Sequence, residues 1–286
     1  MPELPEVEIT KRSLSKQILL KKVKNVTIIN PKLRYNIRNE KIHSIKDKII
    51  KKIKRRSKYI LIFFNNNDII LIHLGMTGRF YFTTKNLKQL DTSFYNKNNI
   101  IRKHDHLKIS FNKFDLIYND IRKFGYIKKI KKKNLLTNKQ LLCLGSEPLS
   151  NKFNFEYFKK KISNRHVAIK NLIMNQSIVS GLGNIYANEV LYLSKIKPTV
   201  NGCRLNDKQI KILLRSIKTI IKNAISAGGS TINNYYNSEG KMGSYQENFK
   251  VYNKEGKSCK RKKCPGIIKR AVHSGRSIFF CTHCQS

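Results

Sequence analysis

Up to about residue 130, short runs of apolar and β-branched residues alternate with polar or Asn-rich turns. Short runs of this kind, bounded by turn residues, predict β-strands. The predicted strands are 23–29, 59–64, 68–73, 79–83, 106–111 and 116–119. A short helix carrying Val7, Ile9 and Leu14 precedes them. The pattern favours a β-sandwich with a flanking helix.

From residue 135 the spacing of apolar residues becomes helical. The segment 145–149 reads GSEPL, a hinge-like boundary, and helices are predicted near 154–163, 166–175, 184–194 and 206–227. The last is amphipathic, since Ile210, Leu213 and Ile217 recur on one face. The sequence predicts an α+β protein with a β-sandwich domain (1–133), a linker (134–150), a helical domain (151–250) and a cysteine-rich module (251–286).

Composition adds a strong positive charge. Of 286 residues, 59 are Lys or Arg and 17 are Asp or Glu, which gives a formal net charge of +42. Such a surplus attracts polyanions, so nucleic acid is the expected partner. A/T-rich codons also produce abundant Lys, Ile and Asn, so the charge indicates a class of partner and not a site. No apolar run approaches the ~18 residues of a membrane span, and we expect a monomeric cytoplasmic enzyme without membrane contact.

Four cysteines cluster near the end of the chain. Cys259 and Cys264 have four residues between them, sixteen separate Cys264 from Cys281, and two separate Cys281 from Cys284. Two pairs on two turns suit a tetrahedral four-thiolate zinc site. Disulfides are the alternative, but they fit poorly with a chain that has no export signal. The other two cysteines lie far away in sequence and are predicted to be buried thiols: Cys143 and Cys203.

The amino terminus offers a nucleophile. The chain begins MPELPEVE, and removal of Met1 would expose the secondary amine of Pro2. Such an amine can attack an electrophilic carbon and collapse to an iminium, and an α-amino group has a reference pKa of roughly 7.7–8.0. Glu3 and Glu6 would place carboxylates beside it. A plainer interpretation is that these prolines and glutamates simply start a helix.

Six motifs occur in order along the chain. They are MPELPEVE at the start, RRSKY at 55–59, HLGM at 73–76, DIRKFG at 120–125, GLGNIYA at 181–187 and the four-cysteine ribbon. Together they resemble the bacterial formamidopyrimidine-DNA glycosylase family, which excises oxidised purines, and the match covers essentially the whole chain. The resemblance implies a β-sandwich, a helix–two-turn–helix domain and a zinc ribbon with one structural zinc ion. It also implies that duplex DNA lies in a basic cleft between the lobes, which would associate the protein with the nucleoid.

The resemblance places the chemistry at the amino terminus. Pro2 would attack C1′ of the damaged nucleotide, release the base, and form a Schiff base that undergoes β- and δ-elimination. Glu3 matches the general acid/base, and Glu6 supports the amino-terminal geometry. Lys58 completes the catalytic set and matches a phosphate-contacting position.

Further residues match DNA-contacting positions. C1′ cannot be reached in a stacked duplex, so the nucleotide must be flipped out and the gap behind it filled. The residues that match gap fillers, here called the wedge residues, are Met76, Arg122 and Phe124. The residues that match phosphate contacts are His73, Asn184 and Arg276. Plainer alternatives are core packing for the apolar side chains, a helix N-cap for Asn184 and surface charge for the arginines. The segment 228–245 is the predicted lesion-recognition loop.

Three positions depart from the family's pattern. Ile121 stands where proline is usual, which removes a fixed φ angle from a wedge loop. The first cysteine pair encloses four residues where two are usual, and Asn253-Lys254 replaces Gly-Arg. None of these changes touches the predicted catalytic residues, so activity is expected.

Two other functions stay open. Enzymes like endonuclease VIII share the fold and the proline chemistry but act on oxidised pyrimidines, whereas Leu4, Val7 and the wedge residues favour the purine branch. A non-catalytic protein that binds damaged DNA could keep the basic surface and the ribbon. The intact set of predicted catalytic residues argues against that second alternative.

Overall fold

The computed structural model describes residues 2–84, 89–90, 102–230 and 243–285. These residues form two compact units. The first unit combines residues 1–142 with the returning segment 227–246, and the second combines 143–226 with 247–286. The four segments and boundaries proposed from the sequence stay a prediction.

The first unit begins with a helix and continues as two antiparallel sheets. Its described elements are α1 (Leu4–Ile18), β1 (Asn25–Ile28), β2 (Ile50–Arg56), β3 (Tyr59–Phe64), β4 (Asp68–His73), β5 (Arg79–Thr84), β6 (Gln89–Leu90), β7 (Asp105–Ser110), β8 (Phe114–Asn119), β9 (Tyr126–Lys131) and α2 (Lys139–Leu142). One sheet has the strand order β1-β7-β8-β5-β6 and the other β2-β3-β4-β9.

One apolar core joins α1 to both sheets. Val7 and Leu14 lie on one face of α1 and pack in the same cluster as Ile60 and Ile62 of β3 and Phe82 of β5. Alternate positions of each strand therefore face the core, and burial of each such side chain contributes roughly 1.5–3 kcal/mol. The predicted β-sandwich with a flanking helix is confirmed.

Two strands that the sequence pattern did not predict, β2 and β9, are rich in lysine. β3 and β4 have the predicted bounds, whereas β2 and β9 were not predicted. In β2 a register shift between Ile50 and Lys52 breaks the alternation of apolar and polar residues. In β9 the buried residues Ile127 and Ile130 are three positions apart, a spacing that does not indicate a strand.

The second unit contains four helices followed by a hairpin, among its described residues. They are α3 (Phe155–Ile162), α4 (Ile169–Met174), α5 (Asn184–Ser194), α6 (Asp207–Ser226), β10 (Ile268–His273) and β11 (Arg276–Cys281). The predicted helix at 166–175 begins later because Ala168 is held extended in a bridge with Asn201. No helix within the described ranges is long and apolar enough to cross a membrane.

Polar side chains of α5 fasten the cysteine-rich ribbon to the helix. Asn188 Oδ1 accepts from the backbone N–H of Phe279 at 2.9 Å. The buried carboxylate of Glu189 accepts from three consecutive backbone N–H groups, those of residues 250–252, at 2.8–3.0 Å. Burial raises the pKa of Glu189 although these three donors oppose the shift. The ribbon therefore packs against α5 along much of the helix.

Candidate active site and metal centre

The start of α1 is buried and fixed by Glu6. Pro2 is buried, and Glu3 occupies the N-cap position of α1. The side chains of Glu3 and Glu6 are each 2% exposed, and the Glu3 backbone N–H donates to Glu6 Oε2 at 2.8 Å. Pro5 in the first turn suits this helix start, because proline there loses no hydrogen bond. Pro2 therefore precedes a rigid, buried turn.

Glu6 also holds the base of the predicted lesion-recognition loop. Its Oε1 accepts from the backbone N–H and from the hydroxyl of Ser230, each at 2.9 Å. Gly228 and Gly229 bring the chain to this point with φ angles of +78° and +85°, which glycine adopts readily. Residues 231–242 of the predicted loop lie outside the described residues, so the structure places only the two ends of that loop.

A chain of polar contacts leads from α1 to the turn that carries Lys58. Glu8 Oε2 accepts from Arg55 Nε at 3.0 Å, and Arg55 NH1 donates to the backbone carbonyl of Ser57 at 3.0 Å. Ser57, between β2 and β3, has a positive φ of +55°. Lys58 itself is buried. Burial alone would raise the pKa of Glu8, but Lys11 and Arg55 hold it below its usual value.

His73, at the end of β4, is a neutral hydrogen-bond donor. Burial, and then the charges of Lys58 and Arg34, lower the pKa of His73 from 6.5 to about 4. Its Nδ1 accepts from the Gly75 backbone N–H at 3.0 Å, so the ring proton of the neutral form resides on Nε2. The ring stacks on Tyr126 with centroids 5.9 Å apart. Lys58 is therefore close enough to His73 for its charge to act on the ring, and both residues belong to the first unit.

The wedge residues lie on two exposed loops that touch. Met76 follows β4 and is 39% exposed, while Phe124, between β8 and β9, is 53% exposed. Arg122 is exposed on the same loop as Phe124, and its NH1 lies 3.5 Å from Met76 Sδ. Core packing is therefore wrong as an explanation for these two apolar side chains.

A buried carboxylate joins the two wedge loops. Asp120 Oδ1 accepts from the Thr77 hydroxyl at 2.5 Å, and Oδ2 accepts from the Gly125 backbone N–H at 2.8 Å. The Arg122 backbone N–H donates to Thr77 Oγ1 at 3.0 Å. A Cβ on Gly75 would collide with the backbone of Phe124 and Gly125, so the loops meet at glycine. These contacts hold the loop at 120–125, in which Ile121 stands where the family's pattern has proline.

In the second unit, a buried lysine positions Asn184 beside the ribbon hairpin. Asn184 is the first residue of α5. Lys170, 1% exposed, donates from Nζ to Asn184 Oδ1 at 2.6 Å and to the Ser277 carbonyl at 2.8 Å. Asn184 Nδ2 donates to the same carbonyl at 3.2 Å. Arg276, the neighbour of Ser277, is exposed at the start of β11. Sequence reasoning missed Lys170; the run at 167–174 reads VAIKNLIM and also contains the polar Asn171, so the lysine did not stand out.

The four clustered cysteines are positioned to bind a metal ion. The Sγ atoms of Cys259, Cys264, Cys281 and Cys284 all lie within 4.8 Å of one another. The backbone N–H groups of His283 and Cys284 point at Cys281 Sγ, each at 3.5 Å, as is usual for a thiolate held in a metal knuckle. Four thiolates at these separations fit a tetrahedral zinc ion.

The two remaining cysteines lie apart from this cluster, but they are not buried. Cys143 is exposed and Cys203 partly exposed, so the prediction of buried thiols was wrong. Cys143 follows α2 in a connecting segment, and Cys203 lies in a short helical turn at 202–204; connecting segments of this kind run along the surface. Asn253, which stands where the family's pattern has glycine, has a φ of +54°. Asparagine tolerates this conformation better than most residues.

The chain combines a β-sandwich, whose first helix starts at a buried Pro-Glu pair, with α4 and α5 across two turns and a four-cysteine ribbon. This is the architecture of helix–two-turn–helix DNA glycosylases. The chain is a protein of that class. Residues 1–127 match the formamidopyrimidine-DNA glycosylase N-terminal domain, and residues 144–235 match the H2TH domain of formamidopyrimidine-DNA glycosylase. The chain therefore belongs to the formamidopyrimidine-DNA glycosylase family, as its motifs predict.

Individual relatives agree with this assignment. The chain is 40% identical over 286 residues to the formamidopyrimidine-DNA glycosylase of Rickettsia canadensis, covering 100% of this chain and 99% of that relative. It is 39% identical to that of Rickettsia bellii over the same length and coverage. The enzyme class is a DNA-repair glycosylase with lyase activity at abasic sites.

Solved structures give the same result. A Lactococcus lactis Fpg complex with DNA containing an abasic site has a TM-score of 0.86 at 32% identity and covers 99% of each chain. A complex of the same bacterium's Fpg with DNA containing FAPY-dG has a TM-score of 0.86 at 32% identity, covering 99% of this chain and 100% of that chain. The predicted α+β fold class is confirmed.

Proposed function

We propose that the processed protein excises oxidised purines, 8-oxoguanine and formamidopyrimidines, from duplex DNA and then cleaves the strand by β- and δ-elimination in base excision repair. The observation that carries the proposal is the buried helix start, where Glu6 fixes the Glu3 backbone and so the place of the preceding Pro2. A nucleophile on a rigid element is held in one orientation, which is worth several kcal/mol of an activation barrier.

The proposed reaction begins once Met1 is removed. The Pro2 nitrogen forms a bond to C1′ as the bond from C1′ to the damaged base breaks, and the base leaves with the electron pair and takes up a proton. The Pro2 nitrogen then loses its proton, and the C1′–O4′ bond breaks as O4′ takes up a proton, which yields an iminium between Pro2 and C1′. Loss of a proton from C2′ expels the 3′ phosphate, and a second elimination expels the 5′ phosphate.

Two carboxylates divide the work at the amino terminus. Glu3, adjacent to the nucleophile, is proposed to give and take the protons of sugar opening and elimination. Glu6 accepts three hydrogen bonds with its two oxygens, and its role is positioning. Lys58 and the Nε2–H of His73 are proposed to hold phosphates around the flipped nucleotide, since both carry donors and the charge of Lys58 acts on His73.

The wedge residues are proposed to fill the duplex when the nucleotide leaves it. A thioether and a ring can enter between base pairs, and a guanidinium can hydrogen-bond the base left without a partner. Exposure of all three side chains on loops joined by Asp120 supports this role. Asn184 and Arg276 are proposed phosphate contacts of the second unit, with Asn184 held by Lys170.

A single zinc ion bound by the four cysteines is proposed to be structural. It would fix the two turns of the ribbon and thereby the hairpin that carries Arg276. Four protein sulfurs would fill a tetrahedral site and would leave no open position for water or substrate.

Oxidised pyrimidines are the second candidate substrates. A Lactococcus lactis Fpg has been solved with DNA containing an oxidised pyrimidine, with a TM-score of 0.85 and 32% identity to this chain. The test is a comparison of single-turnover excision from duplexes containing 8-oxoguanine opposite cytosine and thymine glycol opposite adenine. We expect the purine lesion to be removed faster. Faster removal of thymine glycol would overturn the proposed substrate class, and removal of neither base would favour a non-catalytic DNA-binding protein.

A further inference from the structure

The enlarged cysteine knuckle contacts the C-terminal end of α5 through one side chain. Residues 260–263 lie between the first two cysteines, and of these four Arg261 is partly buried while the three lysines are exposed. Arg261 NH2 donates to the backbone carbonyl of Leu193 at 3.0 Å and also to that of Tyr192. Its guanidinium carbon lies 4.7 Å from the centroid of the Tyr192 ring.

These contacts combine three favourable interactions. Carbonyls in the last turn of a helix lack their usual i+4 donor. The Tyr192 carbonyl accepts from the Lys195 backbone N–H at 3.1 Å, and Arg261 adds a second donor there and a donor to the Leu193 carbonyl. A cation also interacts favourably with the negative end of the helix dipole, and with the face of an aromatic ring. The enlarged knuckle is therefore held against the end of α5 by Arg261.

Tyr192 links the same contact to a metal ligand. Its hydroxyl lies 3.3 Å from Cys259 Sγ, and its ring packs in the apolar cluster that contains Cys259 and Cys281. A hydroxyl that donates to a ligating sulfur orients that ligand and stabilises its negative charge. Tyr192 thus touches Cys259 with its hydroxyl and Arg261 with both its ring and its carbonyl.

The other end of α5 carries a proposed phosphate contact. Asn184 lies eight residues before Tyr192, which is about 12 Å along a helix axis. Asn184 and Lys170 both donate to the carbonyl of Ser277, next to Arg276. A rigid helix therefore connects the metal ligands at one end with Asn184 and the ribbon hairpin at the other.

We propose that Tyr192 and Arg261 are positioning residues that form an outer layer of the metal site and lock the enlarged knuckle onto α5. Metal binding at the cysteines is thereby coupled to the placement of Asn184 and Arg276. The coupling to DNA rests on the proposed function, whereas the effect on the metal does not.

The first arm of the test measures zinc release from the full-length, zinc-loaded protein to a coloured chelator. We expect Arg261→Ala and Tyr192→Phe to release zinc about tenfold faster than the unchanged protein, since loss of an outer partner of a ligand costs about 10–100-fold in metal affinity. Lys262→Ala is the matched control, because it removes the same charge from an exposed neighbour, and it should release zinc at the unchanged rate. Unchanged release from both Arg261→Ala and Tyr192→Phe, or equal acceleration by Lys262→Ala, would overturn the proposal.

The second arm measures affinity for a duplex containing a stable abasic-site analogue, with no catalysis involved. Arg261→Ala should weaken binding several-fold more than Lys262→Ala at the same salt concentration. In an Asn184→Ala background the loss caused by Arg261→Ala should be smaller, because the two residues act through one helix. Additive losses would refute the coupling to the phosphate contact. Because zinc release needs no DNA, its result stands even if the proposed enzymatic function fails.

Discussion

At the amino terminus, one buried carboxylate binds two segments that are far apart in sequence. Glu6 accepts from the Glu3 backbone N–H at 2.8 Å and from both donors of Ser230 at 2.9 Å. A buried donor left without its acceptor costs about 1–3 kcal/mol, so a neutral replacement would disturb both segments. The start of α1 and the base of the segment 228–245 therefore depend on the same side chain.

His73 makes stability depend on pH. Its folded pKa is about 4 against an ordinary 6.5, so between these values the unfolded chain binds a proton that the folded chain does not. Stability contributed by neutral His73 is therefore present above pH 6.5 and is lost as the pH falls toward 4. We expect the free energy of unfolding to fall by roughly 1–3 kcal/mol more than in a His73→Gln variant across this window. Urea unfolding curves measured on both proteins at several pH values check this, and parallel pH profiles would contradict it.

Among single residues, those whose chemistry follows from a local motif can be found in the sequence, and those whose role comes from packing cannot. The spacing of the four cysteines could predict a set of possible metal ligands, whereas the catalytic roles of Pro2 and Glu3 come from the family's amino-terminal motif and stay a prediction. Lys170 could not, because it is one of 59 Lys and Arg residues and only the packing of α4, α5 and the hairpin buries it. Asp120 belongs to a motif, yet its bond to Thr77 joins loops 43 positions apart.

Among the elements, the two wedge loops give a prediction about base flipping. Changing both Met76 and Phe124 to Ala should slow excision from a matched duplex by about tenfold or more, because nothing then fills the gap and flipping costs a few kcal/mol. Excision of the same lesion opposite a mismatch should be slowed less, since that base is already partly unpaired. Schiff-base trapping on an abasic site should survive. Single-turnover kinetics measure all three, and equal losses on the three substrates would mean that the residues are structural.

Asp120 holds these loops together, and its removal should resemble loss of the wedge. Asp120→Asn puts an NH₂ group opposite either the Thr77 hydroxyl or the Gly125 N–H, both of which now donate to the carboxylate. We expect a loss of stability of about 1–3 kcal/mol. Relative to the unchanged protein, excision from a matched duplex should be slowed more than excision from a mismatched duplex. Asp115→Asn, a change of the same type in β8, is the control. Thermal unfolding and excision rates check this; a uniform loss on both duplexes would show that Asp120 does not act through the loops.

The ribbon gives a prediction about metal removal. Cys284→Ser replaces a thiolate with a weaker ligand and should lower zinc content, since four thiolates complete the tetrahedral site. DNA affinity should fall about tenfold or more because the hairpin that carries Arg276 loses its support, while the β-sandwich core stays folded. Metal analysis, binding curves and unfolding of the first unit check this. Zinc-free protein that binds DNA with unchanged affinity would contradict a structural role for the metal.

Elements with clear local boundaries could be predicted from the sequence, and those held by distant contacts could not. β3 and β4 have the predicted bounds because each is a short apolar run between polar turns, and α5 has them because it begins directly after Gly183. β2 is bent by a register shift, and α4 starts late because Ala168 pairs with Asn201. Both deviations come from partners that lie outside the local pattern.

For the whole molecule, the net positive charge explains attraction to nucleic acid but does not explain catalysis. A net charge of +42 favours binding to any nucleic acid and makes affinity fall steeply with salt, but it does not distinguish a repair enzyme from a DNA-binding protein. The charge and the class of partner could be predicted from composition. The catalytic proposal rests instead on one nitrogen, that of Pro2, and on the buried turn that follows it.

Borohydride trapping tests that proposal most directly. The processed protein, the same protein with Met1 retained, and an N-terminally extended form are incubated with a duplex containing 8-oxoguanine opposite cytosine. We predict that the processed protein forms a covalent adduct that peptide mapping locates at Pro2. The two blocked forms should give no adduct and no strand cleavage while they still bind the duplex. A blocked protein of verified sequence that is trapped, or that cleaves the strand as fast as the processed one, would contradict the account.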